Sequence, residues 1–155
     1  MADGSVTRQE GNVSDEAFEW SASRFEGPHA SPGFRLWQQH QAWQRMLNAA
    51  LAPLNLTQPQ FSMLAVIAWL GREDPNVTQA DLCRFANLER MAVSQVARKL
   101  ETLGLVQRAP SSRDGRAITL ALTSAGRDVL VSALPIVEDA DGTFFATDQG
   151  DRRLP

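Results

Sequence analysis

A chain of 155 residues, 43% of them apolar, is long enough to bury one domain-sized core. No apolar run approaches the roughly 20 residues of a bilayer span, and the opening MADGSVTRQEGNVSDE lacks a basic-then-apolar leader, so a cytoplasmic protein is expected. A single cysteine, Cys83, excludes an internal disulfide and a multi-cysteine metal site, and the net charge of −3 speaks against a polyanionic partner unless the basic residues are gathered in one place.

Residues 1–33 are polar, acidic and carry Gly, Pro and Ser, the composition of a mobile tail. Phe18, Trp20 and Phe25 are its exceptions, either a short docking turn or scattered aromatics. A first helix is predicted from Phe34 to Leu51, where Leu36, Trp37, His40, Trp43, Leu47 and Ala50 recur at three- and four-residue steps; Pro53 stops it. It is too apolar for a solitary surface helix, so burial against a partner subunit is expected.

Thr57-Gln58-Pro59-Gln60 reads as a helix start, with Thr57 as cap and Gln60 at the capping-box position. Phe61, Leu64, Ala65, Ala68 and Trp69 form the predicted buried stripe, and Gly71 ends the helix before an Asp74-Pro75-Asn76 turn. Thr78 caps a third, short helix to about Ala86, with Asp81 in its first turn and Leu82 and Phe85 facing inward; Asn87 suits a left-handed turn. A fourth helix runs from about Glu89 to Leu103, its inner stripe Val93, Val96, Ala97, Leu100 and Leu103, and Gly104 ends it.

The opposite side of that helix carries Arg90, Ser94, Gln95, Arg98 and Lys99, donors of the kinds that meet base edges and phosphates, with no acid among them. Leu105–Arg108 and Ala117–Leu122 read as antiparallel strands, with Ile118, Leu120 and Leu122 alternating inward. Between them Arg113 and Arg116 project from an exposed tip. Gly115 permits a positive φ there, and the Asp114 carboxylate can hold one guanidinium in place. Thr123 caps a fifth helix with Val129, Leu130, Ala133, Leu134 and Val137 as its apolar side. Pro135 should kink it, Thr143–Ala146 is a short apolar segment after Gly142, and the final ATDQGDRRLP reads as a loop.

Charge is unevenly spread. From Arg84 to Arg127 there are eight basic residues against three acids, Glu89, Glu101 and Asp114, while the rest of the chain is acidic. Screening confines charge effects to about 8–10 Å at physiological salt, so phosphate would respond to this local patch and not to the net charge.

The order of helices and the segment GLVQRAPSSRDGRAITLALTSAGR resemble the winged helix-turn-helix transcription regulators of the MarR family. The resemblance rests on Asp114-Gly115-Arg116 in the hairpin and Leu122-Thr123-Ser124-Ala125-Gly126 at the next helix start, and covers roughly Phe34 to Phe145. It implies a mainly α fold with a small β-hairpin wing (α+β) and a homodimer. Residues 57–123 would form the DNA-binding domain, with 34–56 and 124–146 as dimerisation helices. Residues 147–155 would be a C-terminal loop that stops before a final helix. It further implies that the Arg90–Lys99 face enters the major groove of a pseudo-palindromic operator and that Arg116, oriented by Asp114, reaches the minor groove. The half-sites would lie about one helical turn apart. Such regulators are often repressors released by a small aromatic effector.

His40, Trp43 and Met63 are the candidate lining of an effector pocket, against the plainer reading that Trp37, Trp43 and Met63 are core. Cys83 reads as structural, against the alternative, which the resemblance brings with it, of an oxidant-sensing thiol. No Gly-rich phosphate loop, HExxH or Ser elbow is present, and two histidines are too few for a histidine-rich metal site, so neither an enzyme nor a cofactor is expected. The alternative is a protein-interaction module that keeps the winged fold without binding DNA.

Overall fold

The structure, a computed structural model, describes residues 20–148. Its elements are α1 (Pro32–Leu51), α2 (Gln58–Leu70), α3 (Gln79–Ala86), α4 (Arg90–Thr102), β1 (Val106–Pro110), β2 (Ile118–Leu122) and α5 (Ser124–Asp148). The chain divides into two compact units at Gln38/Gln39, a boundary that falls within α1.

In the first unit, two 3-10 turns, Trp20–Ala22 and Pro28–Ala30, precede α1, so part of the expected tail is ordered; Phe18 lies outside the described residues. Edge-to-face contact of His29 on Phe34 (5.5 Å) and a tilted Phe34–Trp37 pair (5.5 Å) hold this segment together. Leu36 and Trp37 are exposed.

In the second unit, Leu47 and Leu51 of α1, Phe61, Leu64 and Ile67 of α2, Leu82 of α3, Val93, Ala97 and Leu100 of α4, Leu120 of β2 and Leu130 and Ala133 of α5 share one core. The caps act as their sequences predict. Gln60 Oε1 accepts the Thr57 amide at 2.9 Å, Asn87 closes α3 with φ 51°, and Gly104 follows α4 with φ 70°, a conformation a Cβ would strain.

Four residues predicted on inward faces are exposed: Trp69, Phe85, Leu103 and, on α5, Leu134. Trp69 lies away from the side of α2 that buries Gln60, Met63, Leu64 and Ile67, and the Arg72 guanidinium stacks on its exposed ring 3.5 Å from the centroid. Phe85 and Leu103 stand at the ends of α3 and α4, beyond the faces that Leu82 and Leu100 bury. The C-terminal part also departs from expectation. Pro135 and Gly142 do not interrupt α5, which takes in Thr143–Ala146 and ends at Asp148. Pro135 forgoes the bond to the Val131 carbonyl, and Val131, Pro135 and Gly142 all lie on the exposed side of the helix.

Candidate nucleic-acid interface

The α3–α4 pair is built on a reciprocal cap. The Asp81 amide donates to Thr78 Oγ1 at 3.2 Å, and the Thr78 amide donates to Asp81 Oδ2 at 2.9 Å. The Thr78 hydroxyl also donates to Oδ2, at 2.6 Å; this bond is the main reason the Asp81 carboxyl sits below the usual carboxylate range, with Arg84 adding to it. The left-handed Asn87 then turns the chain into α4, whose Val93, Ala97 and Leu100 anchor it to the core. Arg90, Gln95, Arg98 and Lys99 are left exposed and Ser94 half-buried.

The hairpin pairs Val106 with Leu122 through Pro110 with Ile118. Its base is fixed to the loop before α3, because the Leu120 amide donates to the Val77 carbonyl (2.8 Å) and Thr78 and Thr119 form a bridge. Its tip is held as well. Arg113 Nη1 and Nη2 fork onto Asp74 at 2.6 and 3.2 Å, and Asn76 Nδ2 donates to Ser112 Oγ at 3.4 Å. The clasp keeps the Asp74 carboxyl below its ordinary range, first through the Asn76 amide and then through Arg113.

Two expectations about the tip are corrected. Asp114 clamps no guanidinium; its Oδ1 accepts the Arg116 backbone amide at 3.0 Å and so shapes the turn. Gly115 does not take a positive φ, because the turn closes through the Ala117 amide on the Asp114 carbonyl (2.9 Å) without needing one. The buried Ser111 hydroxyl oxygen accepts the Arg113 and Asp114 amides and braces the entry.

Arg84, Arg90 and Arg116 line one open groove of about 590 Å³, together with Gln79, Cys83 and Asp114. Helix and wing therefore present guanidinium groups on one side of the unit. Among the described residues, Arg90, Arg98, Lys99 and Arg116 make no side-chain hydrogen bond or ion pair, whereas Arg113 is neutralised by Asp74 and Arg84 by Asp81. Sequence reasoning counted Arg84 only within the basic cluster and passed over Gln79. Gln79 Nε2 is buried without a hydrogen-bond partner on the groove wall, a position no periodicity reveals.

A second cavity, about 460 Å³, lies among α1, α2, α3 and α4. His40 and Met63 line it as expected, with Gln44, Ser62, Ala92 and Gln95. Trp43 does not; its indole N–H donates instead to Asp141 Oδ1 at 2.7 Å and ties α1 to α5. No group of metal-ligating side chains occurs among the described residues, and no described helix is long and apolar enough to cross a membrane.

A short helix, a left-handed turn, a surface-lying second helix and an anchored two-stranded hairpin define a winged helix-turn-helix protein. Residues 54–117 match the MarR family. The chain is 43% identical over 128 residues to the uncharacterized HTH-type transcriptional regulator YdcH of Bacillus subtilis, covering 83% of this chain and 86% of that protein. It is 33% identical over 114 residues to an HTH-type transcriptional repressor of Mycobacterium tuberculosis, 74% of this chain and 79% of that one. A solved structure of mutant MarR from E. coli complexed with operator DNA superposes with a TM-score of 0.65 at 25% identity, covering 72% of this chain and 78% of that one. The chain belongs to the MarR family of transcriptional regulators, not to a family of enzymes.

Proposed function

We propose that this chain is a cytoplasmic, homodimeric repressor that binds a pseudo-palindromic operator and releases it when a small aromatic effector occupies the cavity beside α1. The observation that carries the DNA contact is the groove shared by Arg90 and Arg116, with the exposed Arg98 and Lys99 continuing the positive surface along α4. The α4 face would read base edges in the major groove through Arg90, Ser94 and Gln95, and the wing would bring Arg116 to the adjacent minor groove. Arg113 takes a lesser part, since Asp74 already neutralises it. MarR in its operator complex is a relative of the same fold.

Support for the dimer comes from α5. Leu130, Ala133 and Val137 bury against its own core, yet Val131, Leu134 and Phe145 leave a second apolar side exposed. Residues 57–123 would then be the DNA-binding domain, and the helices flanking it the dimerisation region. Support for the effector comes from the cavity's size, within the usual range for small-molecule sites, and from Gln95, which borders the cavity and belongs to the base-reading face.

The test is selection of duplexes from a random-sequence pool, followed by mobility-shift titration. A recovered palindromic motif, bound by a dimer and lost with Arg116→Ala, is expected. Failure to enrich any sequence, with no retention on duplex DNA at low salt, would overturn the reading in favour of a protein-interaction module.

A further inference from the structure

The outermost line of α4 carries an apolar side chain among its donors. Val93, Ala97 and Leu100 define the buried side, and the positions diametrically opposite are Met91, Gln95, Arg98 and Thr102, spaced i, i+4, i+7 and i+11. Met91 is 75% exposed, more than any other large apolar side chain among the described residues. It occupies the second position of the helix, next in sequence to Arg90, which lines the groove that also holds Arg116; Met91 itself stands outside that groove. It therefore stands where the first turn of a recognition helix meets base edges.

An isolated exposed methionine elsewhere would need no account. Here its surroundings select the partner. The exposed Leu88 and Glu89 lie just before it at the helix start, but along the helix its neighbours Gln95 and Arg98, with Arg90 beside it, are polar or cationic, so an apolar protein surface covering this line would have to desolvate those cations. A polyanion with an apolar group set among its hydrogen-bonding edges fits all four side chains. Duplex DNA offers one such group in the major groove, the 5-methyl of thymine.

We propose that Met91 is a specificity-determining residue that packs its thioether end on a thymine methyl group in each operator half-site. This rests on the DNA-binding reading given above. Gln95, one turn further along, would meet the neighbouring base pair, so the preferred thymine lies next to the position that Gln95 reads.

Uracil tests this directly, because deoxyuridine removes the methyl and leaves every hydrogen-bonding edge in place. Duplexes recovered from a random-sequence pool are remade with each thymine of a half-site replaced in turn. Dissociation constants are then measured by fluorescence anisotropy for the full chain and for Met91→Ala. The unaltered protein should lose affinity about fourfold, the value of one buried methyl group, at one thymine per half-site. Met91→Ala should be indifferent at that thymine, keep its sensitivity elsewhere, and keep its thermal melt, since the side chain contributes nothing to the core. An enriched sequence whose thymines are all replaceable, or a Met91→Ala protein with unchanged uracil sensitivity, overturns the inference alone. A pool yielding no enriched sequence overturns the DNA-binding reading and this inference with it.

Discussion

Arg113 is clasped by Asp74, Nη1 on Oδ2 at 2.6 Å and Nη2 on Oδ1 at 3.2 Å, while Arg116, three residues on, makes no side-chain ion pair among the described residues. The two wing arginines are thus unequal before any ligand arrives. Each phosphate neutralised by a free cation adds about 0.9 to the slope of log affinity against log salt. Arg116→Ala, which removes one such cation from each protomer of the dimer, should lower that slope by about 1.8, twice this amount, and Arg113→Ala should leave it nearly unchanged. Asp74→Ala, which liberates Arg113 and removes a repelling carboxylate, should raise it. Anisotropy titrations of a selected duplex between roughly 50 and 200 mM salt measure all three. Equal slopes for the two arginine variants would refute the inequality.

The Thr78–Asp81 cap predicts an acid limb of stability. Thr78's hydroxyl, opposed by partial desolvation and aided by the Thr78 amide and Arg84, holds the folded carboxyl of Asp81 low; Asp74 is lowered too, through Asn76 and Arg113. A depressed carboxyl contributes stability that is fully present above its unfolded pKa and is lost as pH falls through the folded one. Melting temperature should therefore be level from neutral to about pH 5 and fall below that. Asp81→Asn should melt lower at neutral pH, with a shallower acid limb. A variant whose limb is as steep as that of the parent would remove Asp81 from the account.

What the sequence made legible was local. Amphipathic periods placed α1 to α4 and the first half of α5, Thr57, Thr78 and Thr123 marked helix starts, and alternation placed Leu120 inside the wing. The clasp of Arg113 on Asp74 spans 39 residues and the Trp43–Asp141 bond spans 98, and neither leaves a trace in any window of sequence. Trp69 was misplaced because α2 buries the side that carries Gln60, Met63, Leu64 and Ile67, which a helix apolar nearly all round does not single out. Met91 carries no donor, so the pattern of polar residues on the outer side of α4 does not mark it, and only its exposure in the fold does.

Leu-Thr-x-x-Gly has a packing explanation that yields a stability prediction. The Thr123 hydroxyl donates to the Gly104 carbonyl at 2.7 Å and its oxygen accepts the Gly126 amide at 3.0 Å, while the Thr123 amide donates to the Leu105 carbonyl. The start of α5 is thereby drawn so close to the α4–β1 turn that a Cβ on Gly126 would overlap the Leu105 carbonyl oxygen. Backbone cannot yield as a side chain tip can, so Gly126→Ala should cost at least the usual 1–3 kcal/mol of overpacking, about the upper end. Urea denaturation reads it. A loss below about 0.5 kcal/mol, the level of a neutral surface change, would show that α5 can slide away.

Trp43 separates packing from ligand binding. Its N–H donates to the half-buried Asp141, and it does not border the cavity that His40, Met63 and Ala92 line. Trp43→Phe keeps most of the ring but strips a charge-assisted bond, with an expected loss of about 1.5 kcal/mol, the low end for bonds to charged groups, since water can reach Asp141. Effector binding should survive. Benzoate, as a small aromatic probe, should raise the melting temperature of the parent and of Trp43→Phe by similar amounts, because a ligand held only by the folded state shifts both alike. Ala92→Phe, which fills the cavity from α4, should abolish the shift. If Trp43→Phe lost the response while Ala92→Phe kept it, the binding site would lie against α5, not in the cavity beside α4.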